Sequence, residues 1–191
     1  DEQKLLSLRE SMFLVPSGQE QEYATLMASQ KGMREISLAD ARTRFPLLNG
    51  DYVSRVVLDP ATADIDVDLL LQNFLRRFKA GGGTLLCSQT VAALEHASGH
   101  WTVRSSGNSF RSRIIVNAAG AWGDRIAALA GAVPTGLQPK RRSIAVVAPP
   151  DGHDAANWPW IGDVAETWYC KPQSGKLLVS PAEATPVDPH D

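Results

Sequence analysis

A run of small residues after an apolar segment is the strongest functional signal in the sequence. Residues 113–117 are mostly apolar and lead directly into the small residues of 118–123, after which an Ala-rich helical pattern ends at Gly131. Small residues between a strand and a helix let a ligand approach the backbone beside the first amides of the helix. The pattern predicts a site for a nucleotide or another anionic group, although tight packing of the helix on a sheet would select the same residues.

Other signatures of catalysis or metal binding do not occur in the 191 residues. There is no Walker phosphate loop, no His-Glu-x-x-His motif and no Gly-x-Gly-x-x-Gly loop for a dinucleotide. His96 and His100 flank a Ser-Gly turn, which does not place them on one helix face. Asp64, Asp66 and Asp68 alternate but lack the glycine and terminal glutamate of a calcium loop. We therefore predict no metal site and single out no catalytic acid or base.

Composition indicates a globular chain without a strongly charged partner. Nineteen basic and 21 acidic residues give a formal charge of −2, so electrostatics favours neither nucleic acid nor an anionic membrane. No apolar run reaches membrane-spanning length. Cys87 and Cys170 each lie in an apolar, strand-like run, which predicts reduced, buried thiols and a cytoplasmic location. The chain starts without Met, from which we expect a processed or excised segment.

Apolar periodicity and turn residues predict a mixed α/β (α+β) fold. Asp66 can begin an amphipathic helix that Gly81 ends in a left-handed conformation, and Ser37 opens a capping box for a short helix. The full prediction comprises helices at 19–29, 37–44, 66–80 and up to 131, strands at 11–15, 52–58, 84–87, 113–117 and 137–147, a meander over 90–111, a loop over 149–163 and a hairpin over 167–180.

The small-residue turn also resembles a known motif. Ile115-Val116-Asn117-Ala118-Ala119-Gly120-Ala121-Trp122, followed by residues 127–131, is similar to a segment of the D-amino-acid oxidase family of flavoproteins, which includes glycine oxidase and sarcosine oxidase. The likeness extends in the family's order to residues 64–67, 82–84 and 168–178. The chain is thereby identified as an internal fragment of an FAD-dependent oxidoreductase.

This resemblance implies a partial FAD-binding, Rossmann-like domain together with an antiparallel-sheet substrate domain. Residues 62–133 would form the later part of the FAD-binding domain with a small β-meander, and residues 1–61 and 134–191 would belong to the substrate domain. The preceding and following segments of the same parent chain would then be its structural partners. The parent would use FAD, which we expect the isolated chain not to retain, because the Gly-x-Gly-x-x-Gly loop that holds the pyrophosphate is missing.

The resemblance also implies five cofactor-binding residues. Val91 matches a position whose backbone contacts the adenine end of FAD, although an ordinary inward-facing strand residue explains it equally. Ala118, Ala119 and Gly120 match the turn near the pyrophosphate and ribityl chain, and Trp122 would lie beside that turn.

Two tyrosines are the predicted substrate-binding residues. Tyr169 precedes Pro172 and Gly175 as does a family tyrosine whose hydroxyl binds the substrate carboxylate. A core aromatic is the alternative for Tyr169, with Trp168 as the inward residue. Tyr52 is a further candidate.

The implied reaction is hydride transfer from the α-carbon of an amino acid or secondary amine to the flavin, which leaves an imine for hydrolysis. The isolated chain would be inactive. Two alternatives stay open: a non-catalytic binding or interaction module of the same fold, and a flavoenzyme that acts on a 2-hydroxy acid or glycerol phosphate.

Overall fold

The computed structural model describes residues 4–29 and 31–190 and divides the chain into two compact units. Unit 1 comprises residues 1–74 and 142–184, and unit 2 comprises residues 75–141 and 185–191. The mixed α/β class is confirmed. The assignment of 1–61, 62–133 and 134–191 to the domains of a parent enzyme stays a prediction.

A seven-stranded sheet organises unit 1. Its strands, in spatial order, are β10 (Ala145–Val147), β13 (Lys176–Ser180), β12 (Tyr169–Gln173), β11 (Trp160–Asp163), β2 (Ser11–Val15), β4 (Arg55–Asp59) and β3 (Arg34–Ile36). β2 and β11 pair in parallel, and all other neighbours are antiparallel. Two further strands, β1 (Leu6–Leu8) and β5 (Ala63–Ile65), form a separate antiparallel ribbon. The predicted strand at 11–15 and the predicted hairpin are both confirmed.

One face of this sheet forms the core of unit 1. Met12, Leu58 and Ile161 are almost completely buried there and pack with Ala41 from helix α2 (Leu38–Arg44). Because side chains alternate along a strand, the neighbours of these residues project from the opposite face. That second face carries Phe13, and it forms the cavity described below.

The helices of unit 1 begin where the sequence predicts. α1 spans Glu20–Ser29. At α2, the Ser37 hydroxyl accepts a hydrogen bond from the Asp40 amide at 3.0 Å, as a capping residue does. α3 spans Val67–Ala80 and crosses from unit 1 into unit 2, and its Leu69 amide donates to the Asp66 carboxylate at 2.9 Å.

The predicted left-handed residue at the end of α3 is wrong by one position. The Gly81 amide still donates to the Arg77 carbonyl at 3.0 Å, which continues the helical pattern. Gly82 instead has φ +86°, and its amide donates to Lys79 while that of Gly83 donates to Phe78. These two bonds form a Schellman motif, in which the residue with positive φ follows the last helical turn.

Unit 2 contains a three-stranded meander and a short helix. β6 (Val91–Ala97), β7 (His100–Ser105) and β8 (Asn108–Ser112) pair as consecutive antiparallel strands, which confirms the predicted meander. A 3₁₀ turn at Gly120–Trp122 precedes helix α4 (Gly123–Leu129). β9 (Lys140–Arg141) and β14 (Thr185–Pro186) form a two-stranded ribbon.

Two predicted buried strands of unit 2 are not strands. Residues 84–87 and 113–117 pair with no other strand among the described residues, and most of their apolar side chains are exposed, with Ile114 at 75% and Val116 at 84%. A strand needs a neighbouring ladder as well as a suitable sequence. The prediction that Cys87 is buried is wrong for the same reason, whereas Cys170 is partly buried in β12.

Predictions between residues 137 and 163 also need correction. The predicted strand over 137–147 is two short strands, β9 and β10, in different units. The predicted loop over 149–163 ends in β11, whose parallel partner β2 lies almost 150 residues away along the chain. Local patterns do not report a pairing over such a separation.

Candidate functional site

The small-residue turn of unit 2 is braced by the side chain of Asn117. Its amide nitrogen donates to the Gly123 carbonyl at 2.8 Å, and its oxygen accepts from the Ala119 amide at 3.2 Å. The Trp122 amide donates to the Ala119 carbonyl at 3.0 Å, and Gly120 has φ +53°. Asn117 therefore holds both ends of the turn, a role that its position in the motif did not reveal.

Asp124 stabilises the chain that follows α4. Its carboxylate accepts hydrogen bonds from the backbone amide and hydroxyl of Thr135 and from the amides of Gly136 and Leu137, all at 2.8–2.9 Å. The bonds from Thr135, with those from the two following amides, hold the pKa of Asp124 below its usual value. The N-terminal end of α4 is thus tied to residues 135–137.

A cavity of about 730 Å³ in unit 2 brings together three predicted cofactor residues. Val91, Ala119 and Trp122 all line it. Ala118 and Gly120 belong to the same turn but are not among the lining residues of this cavity. These positions are compatible with the predicted roles, which stay predictions.

A β-bulge shapes one wall of this cavity. The register of β6 against β7 shifts between Val91 and Ala93, so Ala92 is the extra residue, and both Val91 and Ala92 face the cavity. Helix α4 also lines the cavity, and its Arg125 provides a cation beside Ile126 and Leu129. Sequence reasoning missed Arg125, because a single arginine on a helix carries no distinctive signal.

A second cavity, of about 670 Å³, lies in unit 1 on the sheet face opposite the core. Phe13, Trp160 and Tyr169 form an aromatic wall: the ring centroids of Phe13 and Trp160 are 5.2 Å apart, and Tyr169 stacks on Trp160 at 5.9 Å. Gly162 makes this arrangement possible, because a Cβ there would lie 2.5 Å from the Trp160 ring. The sheet therefore presents the predicted Tyr169 to an open, largely aromatic surface.

The structure does not place Tyr52 in this cavity. Tyr52 lies in the turn before β4, 42% exposed, and its hydroxyl accepts a hydrogen bond from the Trp168 indole at 3.2 Å. Trp168 lines the cavity and also packs against the core of unit 1. Tyr169 and Trp168 thus both reach the cavity, and a substrate-binding role for Tyr52 stays a prediction.

The charged part of the unit 1 cavity centres on Asp64. Its carboxylate accepts hydrogen bonds from the Arg9 guanidinium and, at 3.2 Å, from the Lys171 ammonium. Partial burial acts to raise the pKa of Asp64, but the bonds from Arg9 and Lys171 outweigh it and leave this pKa below its usual value. Arg9 is also fixed by the carbonyls of Ala156 and Trp158. The sequence pattern around Asp64 did not reveal this role.

Neither metal ligands nor membrane helices are found in residues 4–29 and 31–190. No group of three His, Cys, Asp or Glu side chains in this part of the chain is arranged to hold a metal ion. None of its helices is both long and apolar enough to cross a bilayer.

The family model of FAD dependent oxidoreductases matches residues 3–191, and so nearly the whole chain. The chain belongs to this family. FAD is the cofactor of this family.

Solved structures show the same fold. The chain is similar to L-α-glycerophosphate oxidase from Mycoplasma pneumoniae with FAD bound, at a TM-score of 0.78 and 19% identity over 97% of this chain and 51% of the other. It is also similar to glycine oxidase from Geobacillus kaustophilus, at a TM-score of 0.72 and 18% identity over 95% of this chain and 49% of the other. For iminodiacetate oxidase from Chelativorans sp. BNC1, the TM-score is 0.70 and the identity 22%, over 98% of this chain and 51% of the other. The chain spans about half the length of these structures.

Proposed function

We propose that this chain is part of an FAD-dependent oxidoreductase that oxidises an amino acid or a secondary amine. Unit 1 would supply a substrate-binding surface and unit 2 a part of the FAD site. The observation that carries the substrate class is the unit 1 cavity, where the Tyr169 phenol lies among aromatic rings and beside cationic side chains. An apolar surface with a few convergent polar groups suits a small amine that carries a carboxylate.

Tyr169 would bind the substrate carboxylate through its hydroxyl. A phenol donates one hydrogen bond, and the neighbouring cations favour a negative charge at the same place. The aromatic wall would exclude water from the carbon that loses its hydride and would restrict the orientation of the substrate. When bound, FAD supplies the hydride-accepting chemistry, for which the fold needs no acid-base pair of its own.

The unit 2 cavity would hold part of FAD. Val91 and Ala92 at the bulge and Trp122 provide apolar walls, and Arg125 provides a cation for an anionic or ribose group. Open space lies beside Gly120, where an added Cβ would have no atom within 4 Å. Asn117 would keep the backbone of this turn in place for the cofactor.

The exposed apolar segments of unit 2 support the view that other parts of the parent chain cover them. Residues 84–87 and 113–117 have strand-like sequences without strand partners in the described structure, and Ile114 and Val116 are largely exposed. Burial of such side chains stabilises a fold by about 1.5–3 kcal/mol each. We propose that segments before and after this chain in the parent supply the missing neighbours. A cytoplasmic location likewise stays a prediction.

The first experiment extends the reading frame at both ends and purifies the longer protein. An upstream Gly-x-Gly-x-x-Gly sequence and flavin absorbance are expected, and substrate oxidation should bleach the flavin with glycine, sarcosine or D-amino acids. Stop codons at both ends, or absence of flavin from the longer protein, would favour a non-catalytic module of the same fold. The 191-residue chain alone should retain little FAD in equilibrium dialysis, and micromolar retention would contradict this expectation.

A matched pair of tyrosine variants in the longer protein tests the assignment of the carboxylate site. Tyr169→Phe should lower kcat/KM for amino acids about tenfold or more, because a hydrogen bond to a charged group contributes about 1.5–3 kcal/mol. Tyr52→Phe is the comparison variant and should lower kcat/KM less than Tyr169→Phe does, because Tyr52 does not line the cavity. A larger loss in the Tyr52 variant would reverse the assignment.

A flavoenzyme acting on a 2-hydroxy acid or glycerol phosphate is the second candidate. The TM-score of 0.78 with L-α-glycerophosphate oxidase is the observation that favours it. Flavin bleaching by hydroxy acids or glycerol phosphate, with no response to amines, would select this candidate and reject the first.

A further inference from the structure

Lys171 shares its sheet face with Tyr169. Both residues lie on β12, and side chains two positions apart on a strand project to the same side. At about 3.3 Å per residue, their Cα atoms are about 7 Å apart. Both line the unit 1 cavity, so a small ligand held by the Tyr169 hydroxyl lies within reach of the Lys171 ammonium.

The charged side chains that line the unit 1 cavity do not cancel. Arg9 and Lys171 share the single carboxylate of Asp64, so this cluster carries a net charge of +1. Including Arg142 and Glu166, the cavity is lined by three cations and two anions. The surface of the cavity therefore has an excess of positive charge beside its aromatic wall.

The position of the cluster is fixed by the fold. Two backbone carbonyls hold Arg9, and Asp64 bridges β5 and β12 through Lys171. The Lys171 side chain is 28% exposed, so it is partly removed from solvent. Its ammonium has three N–H donors, of which the contact with Asp64 uses one. The others can bind an anionic ligand group without breaking the ion pair.

We infer that this cavity binds a substrate with two carboxylates, namely an amino acid with an acidic side chain or an amine that carries two acid groups. Tyr169 binds one carboxylate, and Lys171, supported by Arg9, binds the second and determines specificity. This inference rests on the proposed function, because it assigns the ligand of the same cavity. A purely structural Lys171–Asp64 pair would bridge the two strands equally well but would not discriminate ligands by charge.

The test uses the 191-residue chain, since all residues of the cavity belong to unit 1. Tryptophan fluorescence and NMR titrations compare succinate, its half-amide succinamate and neutral succinamide. Succinate should bind about 5-fold more tightly than succinamate, because an added contact with a partly exposed ammonium is worth about 1 kcal/mol. Lys171→Gln should abolish this difference, Lys171→Arg should retain most of it, and Lys176→Gln on β13 is the charge-matched control.

Equal binding of succinate and succinamate by the unmodified chain would overturn the inference, as would an unchanged preference in Lys171→Gln. The comparison within the unmodified chain does not depend on the folding of any variant. Failure of the proposed function is seen separately, as a lack of flavin reduction by amines in the longer protein. Reduction by amines with uncharged side chains, without preference for diacids, would reject this inference alone.

Discussion

Asp163 is a buried carboxylate at the end of β11, and its replacement by asparagine tests how the fold positions Tyr169. One oxygen accepts from the Gln19 side chain at 2.8 Å and from the Thr167 hydroxyl at 2.7 Å. The other accepts from the amides of Thr167 at 2.7 Å and Trp168 at 3.4 Å. These bonds hold the turn that leads into β12, so Asp163 controls the start of the strand that carries Tyr169.

The loss of unfolding free energy in Asp163→Asn depends on which of these hydrogen bonds an asparagine can keep. Its oxygen can still accept from the two amides, and the Thr167 hydroxyl can rotate to accept from the new NH₂ group. The Gln19 amide then faces the new NH₂ group, which is itself a donor, and loses its hydrogen bond. The remaining hydrogen bonds go to an uncharged acceptor. Because a hydrogen bond to a buried charged group contributes about 1.5–3 kcal/mol, Asp163→Asn should lower the free energy of unfolding by about 2–3 kcal/mol.

The difference in unfolding free energy between the unmodified chain and Asp163→Asn should depend on pH. Burial acts to raise the pKa of Asp163, but the bonds from Gln19, Thr167 and Trp168 outweigh it and hold this pKa below its usual value. A carboxyl with a lowered folded-state pKa stabilises the fold above its unfolded-state pKa of about 3.9, and this stabilisation is lost as the pH falls through the folded-state pKa. The gap between the unmodified chain and Asp163→Asn should thus be complete at pH 7 and shrink below about pH 4.

Urea unfolding followed by circular dichroism at several pH values measures this gap. Asp151→Asn, on an exposed turn, is the matched control and should unfold like the unmodified chain. Equal stability of Asp163→Asn and the unmodified chain at pH 7 would refute the hydrogen-bond argument. A gap that persists unchanged as the pH approaches 2 would refute the assignment of the charge.

Three further predictions concern the two cavities and the thiols. Gly162→Ala should displace the Trp160 ring, because the added Cβ would lie 2.5 Å from it. The variant should lose about 1–3 kcal/mol of unfolding free energy and shift the tryptophan fluorescence. An unchanged fluorescence spectrum would contradict this prediction. Asn117→Ala should increase hydrogen exchange at the amides of the 118–123 turn, whereas equal protection would show that the brace is dispensable. Cys87 should react with a thiol reagent at pH 8 before Cys170, because Cys87 is exposed and burial raises the pKa of Cys170. Mass spectrometry measures the order of labelling, and the opposite order would reject this prediction.

The sequence by itself determined the features that depend on neighbouring residues. The capping box at Ser37, the helix that follows Asp66 and the three-stranded meander were all predicted, because side-chain periodicity and caps act within one or two turns of chain. The motif at 115–122 predicted a member of the FAD-dependent oxidoreductase family, which the family match confirmed. The turn at 118–123 is likewise held by a local bond, from Asn117 to Gly123.

Only the tertiary structure decided the features that depend on distant partners. The pairing of β11 with β2, the ion pair of Asp64 with Lys171 and the stack of Trp160 on Tyr169 require the strands to be placed side by side. The apolar segments 84–87 and 113–117 have strand-like sequences but lack a partner in the described part of the chain, so they form no ladder. Hydrogen bonding between strands is a property of pairs, and a single segment specifies only half of each pair.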